Sequence, residues 1–491
     1  MSSDQPVVST VGLRPATETR AQRKARLDEE AHARRVVGSQ KHSGALPGAS
    51  IPKAGVKSVG SWRGIGGVFP PAHRASSVIL QTAYPWLASS GTRIPGVVFG
   101  EDVFSRSPFG FDPWAAYAAN KVRSFDIAVF GLKGTGKSEF SKVFANRLIA
   151  VGVRVAIPND PKFEWRALAD KVDGAVVVSV GPGSVERINL LDASPRRAGV
   201  SDRSHLQQTM QHRRSILRQV VQLLRADDTD SGLESVEHTA LDLALEAAIF
   251  QTDTPTVRDV LHTLEFPDPD AARLVGNGGL NLFHTLRRLT SGDVAGMFDT
   301  YSTVAFNTEA PCVVVDTSGL RTASKEAQAI TTLATSTWIK QAVLHEKVPR
   351  LLVHEEAAIA FLADVSSGGE ALADKTVQEK LGRDSNISNM YLMHRLSDMD
   401  ALGDEGSKLR AQALGLLQDT DTKIFFGQAK ETVEPLQQFF GLNSVEALLT
   451  QNFMPGDALF RVGREEPVVV AITPTPEEHY TFKTDTVERS L

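Results

Sequence analysis

The sequence predicts an α/β fold with a mostly parallel sheet, an all-helical insertion and a small β-rich segment ahead of the core. Three observations predict it. From Phe125 to Val180, short apolar runs alternate with a helical pattern, the βαβ rhythm of a parallel sheet covered by helices. Between about 200 and 300, apolar residues recur at three- and four-residue spacing, which reads as amphipathic helices. Short apolar runs then return at Cys312–Asp316, Arg350–His354, Ser388–Met393 and Thr422–Phe426, as in strands buried on both faces.

The elements follow in chain order. Residues 1–60 are rich in Ser, Ala, Gly, Pro and Arg and poor in large apolar side chains. They cannot bury enough apolar surface to offset the entropy of ordering, so they read as a disordered arm. Its charged stretch Arg20–Arg35 reads as a solvated tail or as a helix formed on a partner. In the β-rich segment 61–120, Pro95–Asp102 and Phe109–Trp114 flank a Ser-Arg-Ser-Pro turn and predict a hairpin. The core is assigned to 121–199 and 301–491. It opens with strand Phe125–Phe130, helix Ser138–Val151 and strands Arg154–Ile157 and Ala175–Val180. The insertion, 200–300, contains helices His212–Arg225 and Ser235–Gln251. Strands Ala458–Val462 and Pro467–Ile472 and a polar tail end the chain.

Composition bounds the function. A chain of 491 residues suggests two or three structural units. A hydrophobic share of 42% with 23% charged residues is that of a globular protein. The net charge of −5 argues against a nucleic-acid-coating protein, which is usually strongly basic. Cys312 is the only cysteine, so no intrachain disulfide forms, which fits a reducing cytosol. There is no apolar run long enough to span a bilayer and no signal-peptide core, so any membrane association is expected to go through partners.

The strongest motif is Gly131-Leu132-Lys133-Gly134-Thr135-Gly136-Lys137-Ser138, a full match to the P-loop pattern between an apolar strand and a helix. Its glycines let successive N–H groups turn toward phosphates, and the helix N-terminus adds a positive dipole end. Gly131 through Ser138, with Glu139, form the candidate nucleotide-binding set. Lys137 reaches the β- and γ-phosphates of ATP, and Ser138 holds Mg²⁺. Such a site also needs an acidic residue at a neighbouring strand end. Asp316 after Val313-Val314-Val315 is one candidate, with a turn-capping role as its alternative. Glu355-Glu356 after Leu351-Leu352-Val353-His354 is the favoured one, with Glu355 for metal and Glu356 to activate water. The alternative for this pair is the exposed start of a helix. No guanine-reading N-K-x-D motif is present.

These motifs, with others in order, resemble the conjugation-type ATPases of type IV secretion systems, within the HerA–FtsK superfamily of ring-forming P-loop motors. Asn159-Asp160-Pro161-Lys162-Phe163-Glu164-Trp165 is similar to that family's D-P-K-G-E-Y segment, and Arg187-Ile188-Asn189-Leu190-Leu191-Asp192 to its I-N-P-L-D turn. Gly292–Asp299 resembles the segment closing the helical insertion, and Glu355-Glu356-Ala357 stands where the family has D-E-A. Tyr391–Asp398 is similar to a subgroup encoded on integrative conjugative elements. The resemblance implies a RecA-like P-loop core, ATP and Mg²⁺ as ligands, and a homo-oligomer in the form of a hexameric ring. It implies secretion or conjugation channel components, and DNA, as partners of a cytoplasmic protein peripheral to the inner face of the membrane.

It also implies roles for further residues. Arg383, in Gly382-Arg383-Asp384, is a candidate arginine finger acting in trans, its alternative being a surface pair with Asp384; Arg395 and Arg464 are further candidates. His394 takes the place where the family ends a strand in a γ-phosphate-sensing glutamine, and Gln428 resembles the glutamine ending the strand Lys423–Phe426. Asp160 and Glu164 either organise contacts near Mg²⁺ or cap the turn they sit in. Trp114 either packs in the core or stacks on adenine. The expected output is ATP-driven DNA transfer or substrate secretion. Two rivals remain at this stage: a HerA- or FtsK-like translocase acting directly on duplex DNA, and a nucleotide-bound assembly scaffold with little turnover.

Overall fold

A computed structural model describes residues 95–196, 199–225, 232–343, 346–355, 357, 386–397 and 408–483, with isolated positions 24, 25 and 28. Apart from those three positions the arm at 1–60 lies outside the described residues, as do the first part of the β-rich segment, Glu356, Arg383 and Asp384. The described residues from 95 onward belong to one compact unit, Tyr84–Leu491.

The hairpin is present. β1 (Val97–Asp102) pairs antiparallel with β2 (Pro108–Phe111), Val97 facing Phe111. The Asp102 carboxylate accepts the N–H groups of Phe104 at 2.8 Å and Ser105 at 3.2 Å and so shapes the turn. The second strand stops before Trp114, shorter than the apolar run suggests. Asp112 caps a helix by accepting from Ala115 N–H at 2.8 Å, and Pro113 occupies the first helical position, giving α1 (Pro113–Ala118).

β3 (Ile127–Phe130), α2 (Lys137–Ala150), β4 (Arg154–Asp160), α3 (Arg166–Ala169) and β5 (Val176–Ser179) follow. β4 outlasts the expected Ile157. Pro158 cannot donate to a ladder, and the strand passes it by shifting register between Ile157 and Asp160. Four helical elements come next: α4 (Asp202–Leu224), α5 (Ser235–Gln251), α6 (Val257–Glu265) and α7 (Pro269–Ser291), the last kinked at Gly276, whose φ of +46° is not helical. α4 starts well before His212, because Ser201 caps it through Ser204 N–H. Arg225 at its end holds Glu237 of α5 through two bonds of 2.7 and 2.8 Å, which keeps that carboxyl below its ordinary range.

The core resumes with β6 (Cys312–Asp316), α8 (Lys325–Val343), β7 (Arg350–His354), β8 (Ile387–Met393), α9 (Lys408–Asp419) and β9 (Thr422–Phe426). Then come α10 (Lys430–Phe440), α11 (Ser444–Asn452), β10 (Asp457–Val462), β11 (Val468–Ile472) and α12 (Pro476–Phe482). Among the described residues all strands join one sheet, in the order β2-β1-β11-β10-β9-β3-β8-β7-β4-β6-β5. From β9 to β5 every pairing is parallel; from β9 out to β2 every pairing is antiparallel.

Alternation along each strand separates two layers. Ile127 and Val129 pack with Phe140 and Phe144 of α2, while Ala128 and Phe130 face Leu417 of α9 and Leu436 of α10. The inner residues of the four-helix insertion share a core with α8 and with Val313 and Val315 of β6. No helix among the described residues is long and apolar enough to cross a membrane.

Candidate active site

The loop from Gly131 to Gly136 joins β3 to α2 at the C-terminal edge of the parallel strands. Gly131 has no room for a side chain: a Cβ would lie 2.6 Å from Cβ of Phe426. Gly134 and Gly136 have φ of +80° and +99°, and a Cβ on Gly136 would also press on the Gly456 backbone at 3.0 Å. Neighbouring strands pin the loop. Gly131 N–H donates to Met393 O and Leu132 N–H to Gly427 O, both at 3.2 Å, and Gly456 N–H donates to Thr135 O at 3.0 Å. The backbone N–H groups of Lys133, Gly134, Gly136 and Ser138 have no acceptor among the described residues.

Lys137 is buried and folds back on the loop, donating to the carbonyls of Gly131 and Leu132. Its Nζ lies 3.1 Å from Nδ1 of His394, the residue after β8. Gln428, just past β9, is 5% exposed, and neither its amide nitrogen nor its oxygen has a partner among the described residues. The fold thus brings His394 and Gln428, from the strands flanking β3, to the edge that carries the P-loop.

β7 lies two strand positions from β3, about 10 Å away, with β8 between. Its end presents Glu355, whose Oε1 accepts the indole N–H of Trp165 at 2.7 Å. Lys142, fully buried on α2, pairs with Glu164 at 3.2 Å. Lys142 stands four residues after Ser138, on the same face of the helix. The Asp160 carboxylate accepts the N–H groups of Trp165 at 2.8 Å and Glu164 at 3.1 Å. Burial raises the Glu355 carboxyl above its ordinary range, opposed by nearby Lys142; burial raises Asp160 too, opposed by those two N–H bonds.

Other candidates sit elsewhere. Asp316 ends β6, four positions or about 19 Å from β3, and accepts Ser318 N–H at 2.9 Å, so its geometry is that of a turn cap. Trp114 donates to Asn386 O at 3.2 Å and packs on Phe125, at the end of β3 opposite the loop, away from the P-loop of its own chain. Arg464 is exposed beyond β10, also at the far edge, and Arg395 is exposed beside His394. Glu139 turns to α12, its carboxylate 2.5 Å from Nδ1 of His479. Cys312 is buried with its thiol pushed up to about 12, an inert core residue. Sequence reasoning missed Trp165 and Lys142 as site residues. The spacing from Ser138 pointed to Lys142, and the one local signal for Trp165 was its place at the end of the segment similar to D-P-K-G-E-Y.

The residues fit a magnesium–nucleotide complex. Open N–H groups at the start of α2, and glycines with no room for a Cβ or with positive φ, are what phosphate oxygens require. Among the described residues, no cluster of three His, Cys, Asp or Glu side chains could hold a metal by itself. Mg²⁺ usually keeps several waters and is bound through one or two carboxylates plus substrate phosphates, so a single carboxylate such as Glu355 would fit it.

No family model matches the chain, and no curated protein matches its sequence. Solved structures do match. VirB4 of Thermoanaerobacter pseudethanolicus superposes with a TM-score of 0.61 at 21% identity, over 79% of this chain and 100% of that one. The plasmid coupling protein TrwB in complex with ADP and Mg²⁺ gives 0.53 at 14% identity, over 82% and 93% of the two chains. TrwB with the non-hydrolysable ATP analogue ADPNP gives 0.52 at 15%, over 84% and 96%. At such identities the likeness is one of architecture: the chain has the RecA-like α/β fold of VirB4 and TrwB.

Proposed function

We propose that this protein is a Mg²⁺-dependent ATPase, the motor that energises DNA transfer or substrate secretion in a conjugation or type IV secretion system. The observation that carries the reading is the convergence of the P-loop, His394 and Gln428 on one sheet edge, with the Glu355 strand two positions away. The fold shared with a plasmid coupling protein bound to ADP and Mg²⁺, and the sequence resemblance to conjugation-type ATPases, support it.

Bound magnesium supplies charge neutralisation at the β- and γ-phosphates. The chain's own residues do the rest. Gly131–Ser138 bind the phosphates through backbone N–H groups, and Lys137 leaves the loop carbonyls for them. Ser138 and Glu355 would hold the metal. Glu356 takes the proton of the attacking water. His394 and Gln428 donate to the γ-phosphate, and Arg383 of a neighbouring copy completes the site in a hexameric ring. Positioning and charge stabilisation suffice, because phosphoryl transfer needs little covalent help. The ring works in the cytoplasm, peripheral to the inner face of the membrane, with channel components and DNA as partners.

Steady-state ATP hydrolysis tests this, comparing wild type with Lys137→Ala and Glu356→Gln, with and without duplex DNA. Both variants are expected to lose about a hundredfold or more of a Mg²⁺-dependent activity. Strong stimulation by duplex DNA moves the reading to direct translocation. A wild type that binds ATP but turns over no faster than Glu356→Gln replaces the motor with a scaffold.

A further inference from the structure

Glu355 has a longer, more rotatable side chain than the aspartate that often fills such a position, so something must orient it if it is to hold a metal. The structure supplies a candidate. The Trp165 side chain is fully buried, and its indole N–H meets Oε1 of Glu355 at 2.7 Å from a residue 190 positions away in sequence. Trp165 is itself held. Its backbone N–H goes to Asp160, whose carboxylate also takes the N–H of Glu164, and Glu164 pairs with buried Lys142. A continuous series of contacts therefore runs from the P-loop helix, through Lys142, Glu164 and Trp165, to the end of β7.

We propose that Trp165 is the positioning residue for Glu355: its indole fixes one carboxylate oxygen and leaves the other for the metal side. The proposal rests on the ATPase reading above. An indole suits the task, because it donates one hydrogen bond and has no lone pair to compete for the cation. Partners that orient a ligating carboxylate in this way typically govern metal affinity or activity by about ten- to a hundredfold. The pair is also matched in length. Glutamate reaches one methylene farther than aspartate, and the indole N–H sits nearer its own backbone than a tyrosine hydroxyl does. Shortening the acceptor therefore calls for the longer donor.

The test uses full-length protein as wild type, Trp165→Phe, Glu355→Asp, Trp165→Tyr and the double variant Trp165→Tyr/Glu355→Asp. Trp165→Phe keeps a large ring in the core and removes the donor. ADP binding in EDTA is expected to be unchanged in Trp165→Phe. The Mg²⁺ concentration for half-maximal turnover is expected to rise about tenfold, with little change in KM for ATP at saturating Mg²⁺. Adding Mg²⁺ to the ADP complex should change the tryptophan emission of wild type and not of Trp165→Phe, a readout independent of turnover. Each single variant of the swap should lose Mg²⁺ affinity, and the double variant should recover most of it. A Mg²⁺ dependence unmoved by Trp165→Phe, or an equal loss of ADP binding in EDTA, overturns the positioning role while wild-type turnover stands. A wild type without Mg²⁺-dependent turnover overturns the ATPase reading and this proposal with it.

Discussion

A buried amide left without partners costs about 1–3 kcal/mol. Gln428 carries that cost next to the P-loop, among the described residues, with both of its polar side-chain atoms unbonded. Such a cost is explicable if the amide meets a ligand. Gln428→Leu, close in shape, is therefore expected to leave the thermal midpoint unchanged or a few degrees higher. The same change should lower ATP turnover at least about tenfold. A lower midpoint with unchanged turnover would assign Gln428 to the core instead. At this scale the sequence was readable wherever chemistry is local: the P-loop glycines, Lys137 and Ser138 follow from one contiguous motif. The Trp165–Glu355 bond was not, because its partners are distant in sequence and an apolar tryptophan looks the same in any core. Asp316 and Glu355 each end an apolar run. Only strand order, a long-range property, separates the turn cap from the residue near the loop.

α12 shows how a short element can be held by charge. Arg147 of α2 donates to Val98 O at 2.6 Å and Thr473 O at 3.0 Å and pairs with Glu478 of α12 at 2.5 Å. Burial alone would raise the Glu478 carboxyl; Arg147 and the Thr475 N–H outweigh it and hold it at about 2, below the ordinary 4.5. A depressed carboxyl contributes its stability in full above about 4.5 and loses it as pH falls toward about 2. Thermal unfolding of wild type and Glu478→Gln should thus differ most near pH 7 and converge between pH 4.5 and 2. A gap that stays constant with pH would remove the ion pair from the account. Elements were legible in sequence where one physical rule dominates, as in the apolar runs of β6, β7 and β9. Boundaries shifted where another rule intervened: Asp112 and Pro113 turned the end of a strand run into α1, and Ser201 moved the start of α4 toward the N-terminus.

For the whole molecule, the proposed ring predicts that ATP turnover per subunit rises with protein concentration, in step with a larger sedimenting species. Turnover independent of concentration, on a species that stays monomeric, would count against a shared site. The parallel half of the sheet was legible as a class from the βαβ rhythm. Its antiparallel half was not, because no local pattern says that β10 and β11 return beside β1. That pairing also constrains how the protein is made. Gly100 of β1 is matched to Ile472 of β11, so the first strand described waits for the last. On a ribosome adding about 5–20 residues per second, the hairpin spends tens of seconds with an unsatisfied, aggregation-prone edge before its partner emerges. Biosynthesis is then a stage at which this architecture is exposed to failure, and a chaperone that covers the nascent hairpin would raise yield without altering the finished protein.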